Sequence, residues 1–263
     1  MGAVFGHNPG PLCTDWQSNG SWVLGYPDTA HTLARRAIAL AEDCGHPLTL
    51  GVALVHSAVD AALWGEVDAA HTLADDAIRV CTEAGIPLRR AEAEIVLGWI
   101  MANRGEPEAG AALIQQGTAI WRQFGGEIGQ PTWLYLLAQA WMIGGRLDGA
   151  LAAMEEGLDF VARTEERQWE AELHRLSGEL WLERNTDDTS RAERCFHTAL
   201  EVARSQQARM LELRAASSLA RLWQRQTRRK EALDLLAPIY ALFTEGVDTW
   251  ELKEAKALLG SLR

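Results

Sequence analysis

Apolar residues follow a helical spacing in several separate segments of the chain. They recur at intervals of three and four residues, as in Leu173, Leu176, Leu180 and Trp181, which is the spacing of one helix face. The segments with this pattern are 50–64, 91–104, 133–145, 170–184 and 213–226. No stretch alternates apolar and polar residues for long enough to predict a sheet. The pattern therefore predicts an all-α protein.

A second set of segments shows that the chain repeats. Four of them read GYPDTAHTLARRAIAL, GEVDAAHTLADDAIRV, GEPEAGAALIQQGTAI and GRLDGALAAMEEGLDF. Small residues recur in register at Ala30, Ala70, Gly110, Ala150, Ala192 and Ala232, with spacings of 40, 40, 40, 42 and 40 residues. A second series runs seven residues later through Ala37, Ala77, Gly117, Gly157 and Ala199, and fails at Ile239. A fixed period of this length indicates a repeat array.

Each repeat is predicted to contain a helix A, a glycine turn, a helix B and a loop. Pro107 and Glu108 suit a first helical turn, whereas Gly110 and Gly117 fall inside the same helix and mark close approach to a neighbouring helix. Gly45 and Gly85 are expected to end their helices in the left-handed conformation. The predicted repeats are 11–48, 49–88, 89–128, 131–168, 169–210 and 211–246, with a capping helix at 249–262. Together they would form one α-solenoid domain over residues 1–263.

This arrangement resembles the tetratricopeptide repeat (TPR), a helical hairpin of about 34 residues that stacks into a superhelix. The shared features are the small residues of helix B, a small residue late in helix A (Gly98, Gly178) and an aromatic three residues later (Trp141, Trp181, Trp223). The period of about 40 residues is longer than the common one, which implies longer helices.

The last 95 residues show a more specific resemblance, to one group of TPR-like proteins. Segments 171–184, 192–226 and 231–259 are similar to the C-terminal end of bacterial multidomain regulators. Those proteins join a class III adenylate or guanylate cyclase domain, or a LuxR-type DNA-binding domain, to a STAND ATPase module and a TPR-like tail. The resemblance implies a sensing or scaffolding tail. The chain would be either a fragment of such a regulator or a stand-alone descendant.

Composition and charge narrow the classes of partner. The 263 residues are 48% hydrophobic with 8 prolines, which predicts a chain that is folded throughout. The net charge is −11, and it is uneven: residues 1–130 hold 15 acids and 7 bases (−8), residues 131–263 hold 21 and 18 (−3). A nucleic-acid partner is not expected, nor is a membrane, because no apolar run is long enough to span one. Four scattered cysteines and no signal peptide favour a reduced, cytoplasmic protein.

Motifs for catalysis or cofactors are absent from the sequence. It contains no phosphate loop, nucleophile elbow, zinc-binding helix or paired CxxC motif, so we expect no cofactor and no enzyme activity. His56 with Asp60 and His71 with Asp75 offer two metal ligands each, fewer than a tight site needs, and are interpreted as structural. Asp187 and Asp188 are interpreted as part of a polar loop.

The resemblance to TPR arrays places a concave binding groove along the A helices. Its candidate residues are Trp22, Val55, Val59, Ile95, Trp99, Tyr135, Gln139, Met142, Arg175, Arg214, Arg221 and Arg225. The groove would be apolar in its first half and basic at its end. Trp99 and Tyr135 would anchor apolar side chains of a peptide, while an acidic group would pair with the arginines. Glu172, Glu179 and Glu183 are expected to form a solvated, salt-bridged face.

The sequence therefore predicts a non-catalytic module for protein interaction, scaffolding or effector sensing. Its partner would be a protein or peptide segment, or a catalytic domain of the same regulator. Two alternatives stay open: a small-molecule-binding or catalytic solenoid with a Trp-rich apolar pocket, and a tail that self-associates into a homo-oligomer.

Overall fold

The computed structural model describes residues 8–126, 128–185 and 189–263, and these residues form α-helices joined by short turns. In chain order the helices are α1 (Pro9–Val23), α2 (Pro27–Asp43), α3 (Pro47–Leu63), α4 (Val67–Glu83), α5 (Pro87–Asn103), α6 (Pro107–Gln123), α7 (Gln130–Ile143), α8 (Leu147–Thr164), α9 (Glu170–Arg184), α10 (Ser190–Ser205), α11 (Arg209–Arg225), α12 (Arg229–Tyr240) and α13 (Trp250–Leu262). The prediction of an all-α fold is confirmed.

Proline marks the start of many of these helices. Helix α6 begins at Pro107 and carries Glu108 in its first turn, as the sequence predicts. Proline suits this position because its fixed φ is helical and because the first N–H of a helix has no partner within the helix. The other helices that begin with proline are α1, α2, α3 and α5.

Left-handed glycines end the early helices at a regular interval of twenty residues. Gly45 has φ +60° and Gly85 has φ +67°, which confirms the predicted conformation at both. Only glycine adopts this conformation without a steric cost from a Cβ atom. The same conformation recurs at Gly25, Gly65, Gly105, Gly125 and Gly145.

Later turns use other residues in the same conformation. Glu165 follows α8 with φ 60°, Gln207 follows α10 with φ 56°, and Thr227 follows α11 with φ 65°. A left-handed residue with a side chain is disfavoured, and a β-branched one most of all. The turn geometry is therefore retained where glycine is not, and Thr227 holds it at the greatest cost.

Contacts between Cα atoms divide the chain into two compact units. The described part of the first unit comprises residues 8–20, 29–126 and 128–150. The described part of the second unit comprises residues 21–28, 151–185 and 189–263. In the first unit each helix from α3 to α7 packs on the next, and α5 also packs on α3 and α7. In the second unit, each helix from α9 to α13 likewise packs on the next, and α11 also packs on α9 and α13. Each unit is thus built of sequential helical hairpins, while the six predicted repeat boundaries and the single domain stay predictions.

The two series of small residues lie where helices approach most closely. The first-series alanines are all fully buried, and Gly110 is buried as well. A Cβ atom on Gly98 of α5 would lie 2.5 Å from the carbonyl oxygen of Gly110 on α6, and one on Gly110 would overlap the Gly98 carbonyl. A Cβ on Gly117 would lie 2.6 Å from Cγ1 of Ile95. Larger residues at these positions would force α5 and α6 apart.

Among the described residues, no helix has the length and apolar character needed to cross a membrane.

Replacing Thr227 by glycine is expected to stabilise the protein. Glycine removes the Cβ clash at φ 65°, worth about 1–2 kcal/mol, but makes the unfolded chain more flexible, at a cost of about 0.4–1 kcal/mol. A net gain of about 0.5–1 kcal/mol in the free energy of unfolding should appear in urea denaturation. Thr227→Ala is the matched control; it retains the Cβ atom and should gain less. A stability loss in Thr227→Gly would contradict this account of the turn.

Candidate functional site

The first unit carries one residue per A helix at equivalent positions, and we call these four residues the helix A row: Asn19 (α1), Val59 (α3), Trp99 (α5) and Gln139 (α7). The Trp99 Nε1–H donates a hydrogen bond to Oε1 of Gln139. An indole N–H can only donate, so this bond fixes which way the Gln139 amide points. The Gln139 NH₂ group makes no hydrogen bond within the described residues and remains available as a donor.

The structure buries most of the predicted apolar half of the groove. Val55, Ile95, Trp99 and Tyr135 are each no more than 3% exposed. Three other candidate residues of this unit are only half-buried, namely Val59, Gln139 and Met142. Trp99 and Tyr135 therefore act as packing residues behind this surface, and a ligand could reach the three half-buried side chains without displacing the core.

A buried acidic pair lies next to the helix A row. Asp15 on α1 is 2% exposed and Asp60 on α3 is 5% exposed. Ser57 Oγ donates to Asp15 Oδ1 over 3.2 Å, and Asn19 Nδ2 donates to Asp60 Oδ1 over 2.6 Å. The second oxygen of Asp60, Oδ2, is buried and makes no hydrogen bond within the described residues. A buried carboxylate oxygen without a partner is costly.

Burial shifts the protonation of both acids. It raises the pKa of Asp15 to about 7, with the Ser57 hydrogen bond acting in the opposite direction. Burial raises the pKa of Asp60 as well, the negative charge of Asp15 adds to this rise, and the Asn19 hydrogen bond opposes it. The charged form is disfavoured because the buried site solvates it poorly and because two like charges repel.

Sequence reasoning paired His56 with Asp60, but the structure places His56 beside Asp15 instead, with Nδ1 3.7 Å from Oδ2. The Asp15–Asp60 pair was missed, although Asp15 and Asn19 share one face of α1 at i, i+4. Asp60 also lies among apolar residues of α3.

The other histidine–aspartate pair, His71 and Asp75, does form, with a distance of 3.5 Å on a solvent-exposed face. Within the described residues no group of three or more possible metal ligands occurs; Asp187 and Asp188 lie outside them.

The second unit centres on the buried guanidinium of Arg214 on α11. Its Nη2 lies 2.6 Å from Oε1 of Glu251 on α13, and its Nη1 lies 3.3 Å from Oε2 of Glu172 on α9. All three side chains are at least 97% buried. Three helices that are far apart in sequence are thus joined through one cation.

Two indole rings flank the same guanidinium. The Cζ atom of Arg214 lies 4.6 Å from the ring centroid of Trp22 and 5.1 Å from that of Trp250. Trp22 in turn packs near Trp169, with 6.2 Å between ring centroids. Aromatic faces attract a guanidinium, so Trp22 serves to bury Arg214 and is itself only 1% exposed.

The remaining candidate arginines of this unit differ in their surroundings. Arg175 pairs with Glu172 at 2.9 Å, and Arg221 pairs with Glu254. Arg225 is exposed. The expectation that Glu172 is solvated is wrong, because Arg175 and Arg214 neutralise it in a fully buried position. Of the predicted basic positions, Arg225 and the part-exposed Arg221 face solvent, whereas Arg214 is buried and already paired with Glu172 and Glu251.

Comparisons with known proteins identify the fold. No protein-family model matches the chain. Among solved structures, the chain is similar to a STAND protein with a tetratricopeptide repeat sensor from Pyrococcus horikoshii (13% identity, TM-score 0.64, 89% of this chain and 35% of that one). It is also similar to the apo form of RapI (11% identity, TM-score 0.62, 95% and 84%). A third similar structure is a putative kinesin light chain with TPR-like repeats from Podospora anserina (18% identity, TM-score 0.51, 74% of this chain and 95% of that one). The fold is TPR-like.

Sequence comparison adds one curated relative, an uncharacterised protein of Rhizobium meliloti (strain 1021). It is 24% identical over 203 residues, which are 76% of this chain. The chain spans about a fifth of that protein's length (19%) and about a third of the STAND protein's chain (35%).

Removing the charge of Arg214 is expected to destabilise the protein strongly. Arg214→Met fills similar space but leaves Glu172 and Glu251 without their shared cation. Breaking a buried ion pair in this way costs about 3–5 kcal/mol, measurable by urea unfolding at neutral pH. Arg225→Met is the control on the same helix and should change stability by no more than about 0.5 kcal/mol, because Arg225 is exposed. Equal effects of the two substitutions would refute the central role of Arg214.

Proposed function

We propose that the chain is a non-catalytic interaction module that binds a peptide segment of a partner protein along the A helices of its first unit. The TPR-like fold supports protein partners in general, since arrays of helical repeats present extended surfaces for binding. The likeness to a STAND protein's repeat sensor supports a sensing role within a larger signalling regulator.

The observation that carries this proposal is the fixed amide of Gln139. Its Oε1 accepts from Trp99, so its NH₂ group is oriented before any ligand arrives. An oriented donor of this kind suits a peptide carbonyl, because little side-chain entropy remains to be lost on binding. Val59 and Met142 are half-buried, and offer apolar contacts for side chains of the same peptide.

The contrast between two sets of repeat positions supports the same conclusion. The first series of small residues holds only alanine and glycine, because helix packing requires it. The helix A row holds Asn19, Val59, Trp99 and Gln139, whose chemistry changes from one repeat to the next. Positions that are free of the packing constraint and vary along an array suit selective recognition.

The test begins with a random dodecapeptide library displayed on phage and selected on the whole chain. Selected peptides would be synthesised and titrated into ¹⁵N-labelled protein, with the Gln139 NH₂ and the Trp99 indole N–H as reporters. We expect both signals to shift on binding. Gln139→Leu should weaken binding at least tenfold, because about 1.4 kcal/mol is lost with a hydrogen bond to a buried carbonyl.

Gln115→Leu on α6 is the matched control, because Gln115 is exposed, and it should leave the affinity unchanged. The proposal fails if no selected peptide shifts these signals, or if Gln139→Leu binds as tightly as the natural chain. Shifts caused by ATP or GTP in place of peptides would favour the small-molecule alternative, and dimers seen by light scattering with no peptide binding would favour self-association.

A further inference from the structure

The Asp15–Asp60 pair is not required by peptide binding, yet it connects two helices of different hairpins. Asp15 and Asn19 come from α1, and Ser57 and Asp60 come from α3. The two carboxyl groups are buried between these helices, and Oδ2 of Asp60 has no hydrogen-bond partner within the described residues. Protonation would remove the cost of an unsolvated negative charge at this carboxyl group.

The charged groups around the pair are few. One side chain that can carry a positive charge, His56 of α3, lies near the pair in the described part of the chain. Its Nδ1 is 3.7 Å from Oδ2 of Asp15. The neutral side chains of Ser57 on α3 and Asn19 on α1 donate hydrogen bonds to Asp15 and Asp60. Two carboxylates so placed resist ionising together.

We propose that Asp15 and Asp60 form a proton-dependent junction that holds α1 on α3 when at least one acid is protonated and releases it when both are ionised. In the closed state, the proton removes the repulsion between the two acids and the cost of keeping two negative charges out of water. In the open state, both carboxylates gain water as α1 separates from α3. The junction thus couples the first hairpin of the chain to pH.

The sign of the effect follows from the direction of the pKa shifts. Both acids have higher pKa values in the folded chain than the ordinary value of 3.8, so the folded state binds their protons more tightly than the unfolded state does. The stabilisation is complete below the ordinary value of 3.8, and for Asp15 it is lost progressively as pH rises from there through the folded pKa of about 7. Through Asp15, the contact between α1 and α3 should therefore weaken between about pH 4 and 7.

Amide hydrogen exchange of the whole chain tests this directly. Exchange in α1 and in α5 would be measured by mass spectrometry from pH 4.0 to 7.5 and corrected for the intrinsic exchange rate. We expect the protection of α1 to fall at least tenfold across this range, one pKa unit corresponding to a tenfold change in equilibrium, while the protection of α5 changes much less. Asp60→Asn keeps an oxygen for Asn19 and leaves Asp15 as the single ionising acid of the pair, so its α1 protection should fall with pH by less than that of the natural chain. The double variant Asp15→Asn with Asp60→Asn cannot ionise at either position, and its α1 protection should change less than twofold with pH.

Three variants complete the test. Asp15→Asn should also reduce the fall without removing it, and it carries the single-variant comparison if Asp60→Asn does not fold. His56→Gln should retain the transition, which separates the acid pair from histidine titration. Asp76→Asn alters an acid on α4 that is 48% exposed and should behave as the natural chain does. The junction is refuted if α1 protection is independent of pH in the natural chain, or if the full fall persists in the double variant.

Discussion

The close approach of helix A to helix B is the constraint on which this structure depends. Between α5 and α6 the backbones come so near that the carbonyl of each of Gly98 and Gly110 occupies the space of the other's side chain. Alanine fills the equivalent position of helix B in the other repeats and is fully buried there. Because packing fixes these positions, the hairpin geometry repeats, and residues elsewhere on the A helices are free to carry different chemistry.

Much of the fold could be predicted because its signals are local or strictly periodic. The small residues at 40-residue spacing and the left-handed Gly45 and Gly85 fall into this class. The left-handed turns at Gln207 and Thr227 could not be predicted from the sequence, since neither residue type favours a positive φ. The candidate site was less predictable, because burial of Trp99 and the pairing of Arg214 with residues 37 and 42 positions away depend on tertiary packing.

The two units differ in how their buried charged side chains are compensated. In the second unit, Arg214 lies between two carboxylates and two indoles, and its charge is compensated on every side. Compensation of this kind favours one arrangement of the helices that contribute to it, whatever the pH near neutrality. In the first unit, Asp15 and Asp60 lack such a cation, and this unit also carries the oriented amide of Gln139. Adaptable chemistry is thus concentrated in the first unit and rigid chemistry in the second.

The most direct test of the packing constraint is the effect of a single methyl group at two helical glycines. Gly20→Ala adds it where nothing beyond the adjoining residues and backbone of its own helix lies within 4 Å, whereas Gly110→Ala adds it against the Gly98 carbonyl. Urea unfolding should show that Gly20→Ala stabilises the protein by up to about 1 kcal/mol, the helix preference of alanine over glycine. Gly110→Ala should destabilise it by about 1–3 kcal/mol through overpacking. An equal gain in both variants would contradict close helix packing as the basis of the fold.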